Sequence, residues 1–212
     1  MSDLLLELDH LACERDDRLL FSQLSARFYA GDLVQILGPN GAGKTSLLRI
    51  IAGLTPASAG DIRYKGQSLS SSRWQFAQDS LYLGHLAGIK KSLTPEENLQ
   101  WFIAQQAVQS DIASALKQVG LRGYEHTPCD QLSAGQFRRV ALARLNLSAA
   151  SIWILDEPFT AIDKSGVAML EVLLAQHQAK GGMILLTSHQ DLALSGIKRI
   201  NLEDFTSVHE TA

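Results

Sequence analysis

The residues of this 212-residue chain that are most clearly suited to binding and chemistry form a nine-residue, glycine-rich segment, Gly38–Ser46. It follows the apolar run Leu33–Leu37 and precedes a helical pattern over Thr45–Ala52. Glycines let a backbone bend tightly, so that successive N–H groups point at phosphate oxygens, and the following helix adds its positive end. At this spacing Lys44 is expected to reach the β- and γ-phosphates of a nucleotide, and the Thr45 hydroxyl to ligate Mg²⁺. The expected nucleotide contacts are Gly38, Pro39, Asn40, Gly41, Ala42, Gly43, Lys44, Thr45 and Ser46.

Two adjacent acids follow a second apolar run, Ile152–Leu155. Ligands of open α/β sheets bind at the carboxyl ends of the strands, which is where Asp156 and Glu157 stand. Asp156 is expected to hold Mg²⁺, and Glu157 to polarise the attacking water as a general base. An acidic pair after a strand also serves as a helix cap. Together with the phosphate-binding loop, the pair favours catalysis.

The segment Leu132-Ser133-Ala134-Gly135-Gln136 opens an amphipathic helix. Ser133 with Gln136 three positions later is a capping box, which is a purely structural interpretation. A helix start with small residues and free N–H groups is also an anion site. Ser133, Gly135 and Gln136 are therefore candidate phosphate contacts.

These three motifs, in this order, resemble the ABC ATPases, and the resemblance covers nearly the whole chain. It implies that ATP is hydrolysed and that two copies form a head-to-tail dimer. In that dimer the Ser133–Gln136 segment of one subunit contacts the γ-phosphate held by the other. The resemblance also identifies Asp163 with the loop that crosses the dimer interface. It identifies His189 with the switch histidine that contacts the γ-phosphate and Glu157.

Two positions depart from the family pattern. His85 stands where a glutamine is usual; its imidazole can donate or accept a hydrogen bond, but its charge varies near neutral pH. A structural role for His85 is the alternative. No aromatic ring occurs near Arg15, where one normally stacks on adenine. Either Arg15 stacks through its guanidinium plane, or adenine is held loosely.

These departures resemble one branch of the family, the ATP-binding subunits of cytochrome c maturation, or haem exporter ATPases. The segments that carry this resemblance are Cys13–Asp16, Tyr82–His85 with Gly88–Lys90, and Trp153–Asp163. It implies integral membrane partners of the same complex, release of a haem-loaded chaperone, and a place at the cytoplasmic face of the inner membrane. No haem-binding C-x-x-C-H motif occurs, so no direct haem ligand is seen. Two other interpretations stay open: a soluble scaffold ATPase of the iron–sulfur assembly type, and an exporter ATPase with a different cargo.

The elements that position these residues alternate between short apolar runs and helical patterns, which predicts a mostly parallel sheet covered by helices. The expected strands are Leu4–His10, Leu33–Leu37, Leu81–Leu83, Ile152–Leu155 and Met183–Thr187. The segment Gly60–Gly66 is expected to belong to an antiparallel edge. One helix is expected after the capping box of Thr94 and Glu97, and another over Ser110–Val119. The fold class is therefore α/β, a phosphate-loop ATPase in one domain over 1–212, with a helical lobe at about 86–145 inserted in the core.

Composition argues against several other classes of protein. The formal net charge is -3, without the basic excess that nucleic-acid binding needs. No apolar run approaches the roughly 20 residues that cross a bilayer, and acids stand where an export signal carries basic residues. The two cysteines, Cys13 and Cys129, lack metal-ligand spacing and are expected to be reduced thiols. Any role at a membrane is therefore expected to run through a partner.

Overall fold

A five-stranded parallel sheet forms the centre of the computed structural model, which describes residues 3–105, 111–190 and 192–206. Its strands lie in the order β6, β7, β8, β3, β9, and neighbouring strands pair in parallel. Parallel neighbours require crossover connections, which the helices supply. The bounds are β3 Leu33–Leu37, β6 Ser80–Leu83, β7 Ile152–Leu155, β8 Met183–Thr187 and β9 Ile197–Asn201. The predicted parallel core is confirmed, and β9 extends it by a strand that the sequence did not predict.

A second sheet is antiparallel, with strand order β2, β1, β4, β5. Its strands are β1 Leu4–Arg15, β2 Arg18–Tyr29, β4 Ala59–Tyr64 and β5 Gln67–Ser68. The antiparallel edge predicted at Gly60–Gly66 is confirmed. A strand does begin at Leu4, but the prediction ended it at His10 and placed it in the parallel sheet, and both points were wrong. The strand continues to Arg15 and pairs antiparallel with β2 and β4. Register shifts between Leu8 and Cys13, with His10 at φ 50°, interrupt the alternation of apolar residues and hide the continuation.

Six α-helices occur in the described residues: α1 Lys44–Ile51, α2 Leu69–Asp79, α3 Pro95–Ala104, α4 Ile112–Gln118, α5 Ala134–Leu147 and α6 Lys164–Ala179. The capping box predicted at Thr94 is confirmed, because the Thr94 hydroxyl accepts from the Glu97 N–H and the Glu97 side chain accepts from the Thr94 N–H. α4 begins later than predicted, after the N-cap Asp111, and Ser110 lies outside the described residues. α3, α4 and α5 all lie between β6 and β7 in the chain, and their assignment to an inserted lobe stays a prediction. No described helix is long and apolar enough to span a bilayer.

The hydrophobic core has two parts, one on each face of the parallel sheet. Alternate residues of β7 and β8 face opposite sides, as strand geometry requires. Trp153, Leu155, Ile184 and Leu186 pack with α3 to α6, whereas Ile152, Ile154, Met183 and Leu185 pack with α1 and the antiparallel sheet. Full burial of such a side chain contributes about 1.5–3 kcal/mol. Because both faces are covered, the carboxyl edge of the sheet is held rigidly, and the predicted motifs follow that edge.

Candidate functional site

A cleft of about 670 Å³ lies at the carboxyl edge of the parallel sheet and extends to the end of β1. It brings together the phosphate-binding loop, the acidic pair, His85, His189 and Arg15. Its lining residues are Arg15, Asp16, Arg18, Leu20, Asn40, Gly41, Gly43, Lys44, Thr45, Ser46, His85, Asp156, Glu157, Thr160 and His189. These parts come from five separate stretches of sequence, and one cleft of this composition has the parts of a nucleotide site.

The phosphate-binding loop connects β3 to α1 with a backbone that needs glycine. Gly43 has φ 98° at the N-cap of α1, and a Cβ there would stand 3.1 Å from the Leu20 Cβ. No side chain caps α1, so the first N–H groups of the helix remain available to an anion. The Lys44 ammonium donates to the carbonyl oxygens of Gly38 at 2.7 Å and Pro39 at 3.1 Å. The loop thus presents a cation and free backbone donors beside the cleft.

Asp156 lies at the end of β7, and its carboxylate is buried. Its Oδ1 accepts from the hydroxyls of Thr45 at 3.2 Å and Thr187 at 2.9 Å. Its Oδ2 is buried without a hydrogen-bond partner. An unsatisfied carboxylate oxygen beside a threonine hydroxyl fits a hard divalent cation such as Mg²⁺, which takes one or two protein ligands and completes its shell with phosphate and water. The described residues contain no cluster of three or more His, Cys, Asp or Glu side chains that could hold a metal ion.

Glu157 has an uncommon backbone conformation, with φ 50°. Such left-handed conformations cost about 1–3 kcal/mol in residues other than glycine and cluster at active sites. The conformation is fixed by the Glu157 N–H, which donates to the Thr187 hydroxyl at 2.8 Å. Glu157 Oε1 is buried and makes no hydrogen bond, and His189 Nε2 lies 3.4 Å from it. A carboxylate held without a donor keeps a lone pair available for a proton.

His85 follows β6 and lines the same cleft as Asp156 and Glu157. Arg15, at the end of β1, lines the cleft together with Asp16, Arg18 and Leu20. No Phe, Tyr or Trp occurs among the described lining residues, and the planar guanidinium of Arg15 is a group that can stack on a base. The role of Arg15 stays a prediction.

Ser133, Gly135, Gln136 and Asp163 do not line this cleft. The capping box of Ser133 is formed, with its hydroxyl accepting from the Gln136 N–H at 3.2 Å. Asp163 caps α6 and also accepts from Arg139. The Asp163 pKa is lowered, first by the hydrogen bond from the Gly166 N–H and then by Ser165 and Arg139. Ser133, Gln136 and Asp163 thus make hydrogen bonds within their own chain, and with Gly135 they lie outside the cleft that holds the other candidates.

Two further residues were missed by the sequence analysis. Thr187 joins Asp156 to the backbone of Glu157, and Arg138 donates to backbone carbonyls on both sides of the cleft. The position of Thr187 at the end of a predicted strand, one residue from Ser188-His189, was the available signal. Arg138 gave no signal, because a charged residue on an amphipathic helix is expected to face solvent. The thiols of Cys13 and Cys129 are free and buried, and burial raises the pKa of both.

Comparison with known proteins gives concordant matches. Residues 21–160 match the family model described as ABC transporter. Proteins named "Cytochrome c biogenesis ATP-binding export protein CcmA" are similar to this chain. The relative from Hahella chejuensis is 53% identical, covering 93% of this chain and 95% of the relative. That from Yersinia pestis is 57% identical with 89% and 87% covered, and that from Pseudomonas putida KT2440 is 56% identical with 91% and 93% covered.

Solved structures agree with the fold. A putative ABC transporter ATP-binding protein from Pyrococcus furiosus superposes with a TM-score of 0.82 at 24% identity, covering 95% of this chain and 99% of that one. The ATP-binding cassette MJ0796, solved as a dimer bound to ADP and phosphate, superposes with a TM-score of 0.77 at 20% identity, covering 87% and 88%. The motifs, the architecture and these matches agree, and the chain belongs to the ABC transporter family, whose ATP-binding subunits bind and hydrolyse ATP and work as dimers with membrane subunits.

Proposed function

We propose that this chain is the ATP-hydrolysing subunit of an ABC complex in cytochrome c biogenesis. The observation that carries the proposal is the convergence of Lys44, Thr45, Asp156, Glu157 and His189 in one cleft. The identity of 53–57% to relatives named as cytochrome c biogenesis export ATPases over most of the chain supports the biological assignment.

The nucleotide phosphates are bound by the loop and the start of α1. Lys44 leaves the carbonyls of Gly38 and Pro39 and neutralises the β- and γ-phosphates. The Thr45 hydroxyl and an Asp156 oxygen would hold Mg²⁺, Asp156 through water. When bound, the cation would neutralise charge that develops during phosphoryl transfer. Arg15, at the end of β1, stacks on the base.

Hydrolysis is in-line attack of water on the γ-phosphorus. The new bond joins the water oxygen to phosphorus, and the bond from phosphorus to the β,γ-bridging oxygen breaks, which leaves ADP and phosphate. Glu157 takes the proton from water, because its unbonded Oε1 faces no competing donor other than His189. His189 orients Glu157 and contacts the γ-phosphate. His85 positions the water or the cation through a neutral hydrogen bond.

The Ser133–Gln136 segment and Asp163 act across a homodimer. Both lie outside the cleft of their own chain, yet the α5 start is a small-residue helix N-terminus suited to an anion. In a head-to-tail dimer each ATP is bound between the loop of one subunit and α5 of the other. Loss of the shared γ-phosphate loosens the dimer, and the opening motion is delivered to integral membrane subunits.

The membrane partners are those of a cytochrome c maturation complex at the cytoplasmic face of the inner membrane. The chain binds there peripherally and drives release of a haem-loaded chaperone. Its net charge of -3 argues against a nucleic-acid partner, and no C-x-x-C-H haem-binding motif occurs in its sequence.

The first test is ATP hydrolysis by Lys44→Ala. Loss of one preorganised electrostatic group costs about a hundred- to a thousand-fold in rate, so the variant is expected to lose most activity. Lys180→Ala is the matched control, because Lys180 is exposed at the C-cap of α6, outside the cleft. Activity of Lys44→Ala within a few-fold of wild type would overturn the assignment of the loop.

The second test is made in cells whose own gene carries the same change. Lys44→Ala is expected to abolish mature c-type cytochromes, seen as haem-stained bands, while b-type haem proteins stay normal and a haem-loaded chaperone accumulates. Normal c-type cytochromes, in a cell without a second maturation system, would refute the role in cytochrome c biogenesis and leave the ATPase assignment standing.

A further inference from the structure

Arg138, in the first half of α5, makes an unusual set of contacts. One terminal nitrogen of its guanidinium donates to the carbonyl oxygens of Gly84 at 3.1 Å and His85 at 3.3 Å. The other donates to the carbonyl oxygens of Asp156 at 3.2 Å and Glu157 at 2.9 Å. A single side chain therefore joins the loop after β6 to the loop after β7.

Burial of the Arg138 guanidinium costs free energy, because the charge loses its hydration. We take this cost as an indication that the residue has a specific role. The residue is 7% exposed, and the described structure gives it backbone carbonyls in place of a hydrogen-bonded carboxylate. Burial lowers the Arg138 pKa, although the nearby charges of Asp156 and Glu157 raise it. Arginine stays charged in proteins, so the protein has accepted a desolvated cation at this point. A buried arginine that only filled space would be replaceable by an apolar side chain.

The two loops that it joins carry His85 and Glu157. Glu157 has a strained backbone, and its position depends on contacts from its surroundings. The planar fork of a guanidinium has donors on two nitrogens at a fixed separation, so it can fix the distance between two backbones, which a point charge cannot. Ser133–Gln136 lies at the start of the same helix. In the proposed dimer, the start of α5 would contact the nucleotide held by the partner subunit. Arg138 therefore connects this helix to the loops of His85 and Glu157, which would act on the nucleotide of their own subunit.

We propose that Arg138 is a positioning residue for hydrolysis, which sets His85 and Glu157 relative to each other and links both to α5. The proposal rests on the proposed ATPase function. Arg138 is not among the residues that line the cleft, so its loss is expected to leave the phosphate-binding loop intact and to affect the chemical step. Misplacement of a catalytic group by about 1 Å costs roughly a hundred-fold in rate.

The test is steady-state ATP hydrolysis and ATP affinity of the whole purified chain carrying Arg138→Met or Arg138→Lys. Arg138→Met is expected to lower kcat about a hundred-fold, with KM and ATP affinity within about three-fold of wild type. Arg138→Lys keeps the charge but cannot span both loops, so about a ten-fold loss of kcat is expected. Arg144→Met is the matched control: its guanidinium, on the same helix, donates to Ala87 and Gly88, further along the loop after β6, and does not join that loop to the loop after β7. It is expected to lower Tm while kcat stays within about three-fold.

Three results would overturn the proposal: wild-type kcat in Arg138→Lys, an equal loss of kcat in Arg138→Met and Arg144→Met, or a rise in KM without a fall in kcat. If Arg138→Met does not fold, Arg138→Lys decides alone. Refutation of the Arg138 proposal would not refute the proposed function. If the wild-type chain hydrolyses ATP and the Lys44→Ala chain does not, the ATPase assignment stands whatever the Arg138 variants show.

Discussion

Replacement of Glu157 by glutamine removes the proposed general base and leaves the other residues of the cleft unchanged. The amide has the shape of the carboxylate, and the backbone hydrogen bond from Glu157 N–H to Thr187 is unaffected. Lys44, Thr45 and Asp156 keep their contacts, so ATP binding is expected within a few-fold of wild type. The amide accepts no proton, and general-base catalysis contributes about 10²–10⁴-fold, which corresponds to about 2.7–5.4 kcal/mol of barrier. We expect hydrolysis to fall by that factor.

The assay is single-turnover ATP hydrolysis beside size exclusion with and without Mg-ATP. Bound ATP that is not hydrolysed is expected to hold the variant as a dimer, with membrane subunits added if closure requires them. Glu171→Gln is the matched control, because the Glu171 carboxylate accepts from the Ala193 N–H outside the cleft, and an amide oxygen can accept the same bond. Full activity in Glu157→Gln would rule out Glu157 as the base.

Two further predictions concern histidines. His85→Gln restores the residue usual in the family and is expected to retain substantial activity by steady-state assay; collapse of activity there, with His85→Ala near wild type, would mean that His85 is misaligned. Burial lowers the pKa of His177 to about 4. The folded state therefore favours the neutral ring, and protonation of the ring destabilises the fold. This contribution to stability is present above pH 6.5 and is lost as pH falls from 6.5 towards 4. After a discount for partial exposure, we expect a loss of about 1 kcal/mol between pH 7 and 5. The ring centroids of His177 and Trp153 are 3.7 Å apart, and His177→Phe keeps a ring that can stack on Trp153. Denaturant titrations of this variant at several pH values should show a smaller change of unfolding free energy with pH. An unchanged pH dependence would contradict the reasoning.

The parts of this molecule that the sequence predicts are those whose physical cause is local. A phosphate-binding loop needs glycines at fixed spacing, and a capping box needs Thr94 and Glu97 three residues apart, so both can be identified without the fold. The strands β7 and β8 are buried on both faces and therefore appear as continuous apolar runs. Their carboxyl ends then give the position of Asp156.

The parts that were missed depend on contacts distant in sequence. β1 was cut short at His10 because bulges break the alternation, and only pairing with β2 and β4 identifies the remainder as strand. Arg138 resembles a solvated helix residue until β6 and β7 bring four carbonyls to it, 18 to 54 positions away. Thr187 likewise acquires a role only when β8 lies beside β7. Backbone carbonyls carry no sequence signal, so a residue that acts through them is invisible before the fold is known.

Ser133, Gly135, Gln136 and Asp163 lie outside the cleft, and the proposed head-to-tail dimer gives this location a reason. The cleft is lined by Lys44 and the start of α1, and the start of α5 is not part of its lining. In the proposed dimer two copies would surround one γ-phosphate, so its presence would stabilise the dimer and its loss would remove that stabilisation. Arg138 joins α5 to the loops of His85 and Glu157. In the proposed dimer, a phosphate bound at the α5 start of one subunit would therefore be linked through Arg138 to the catalytic loops of that same subunit, and these contacts would couple the two sites.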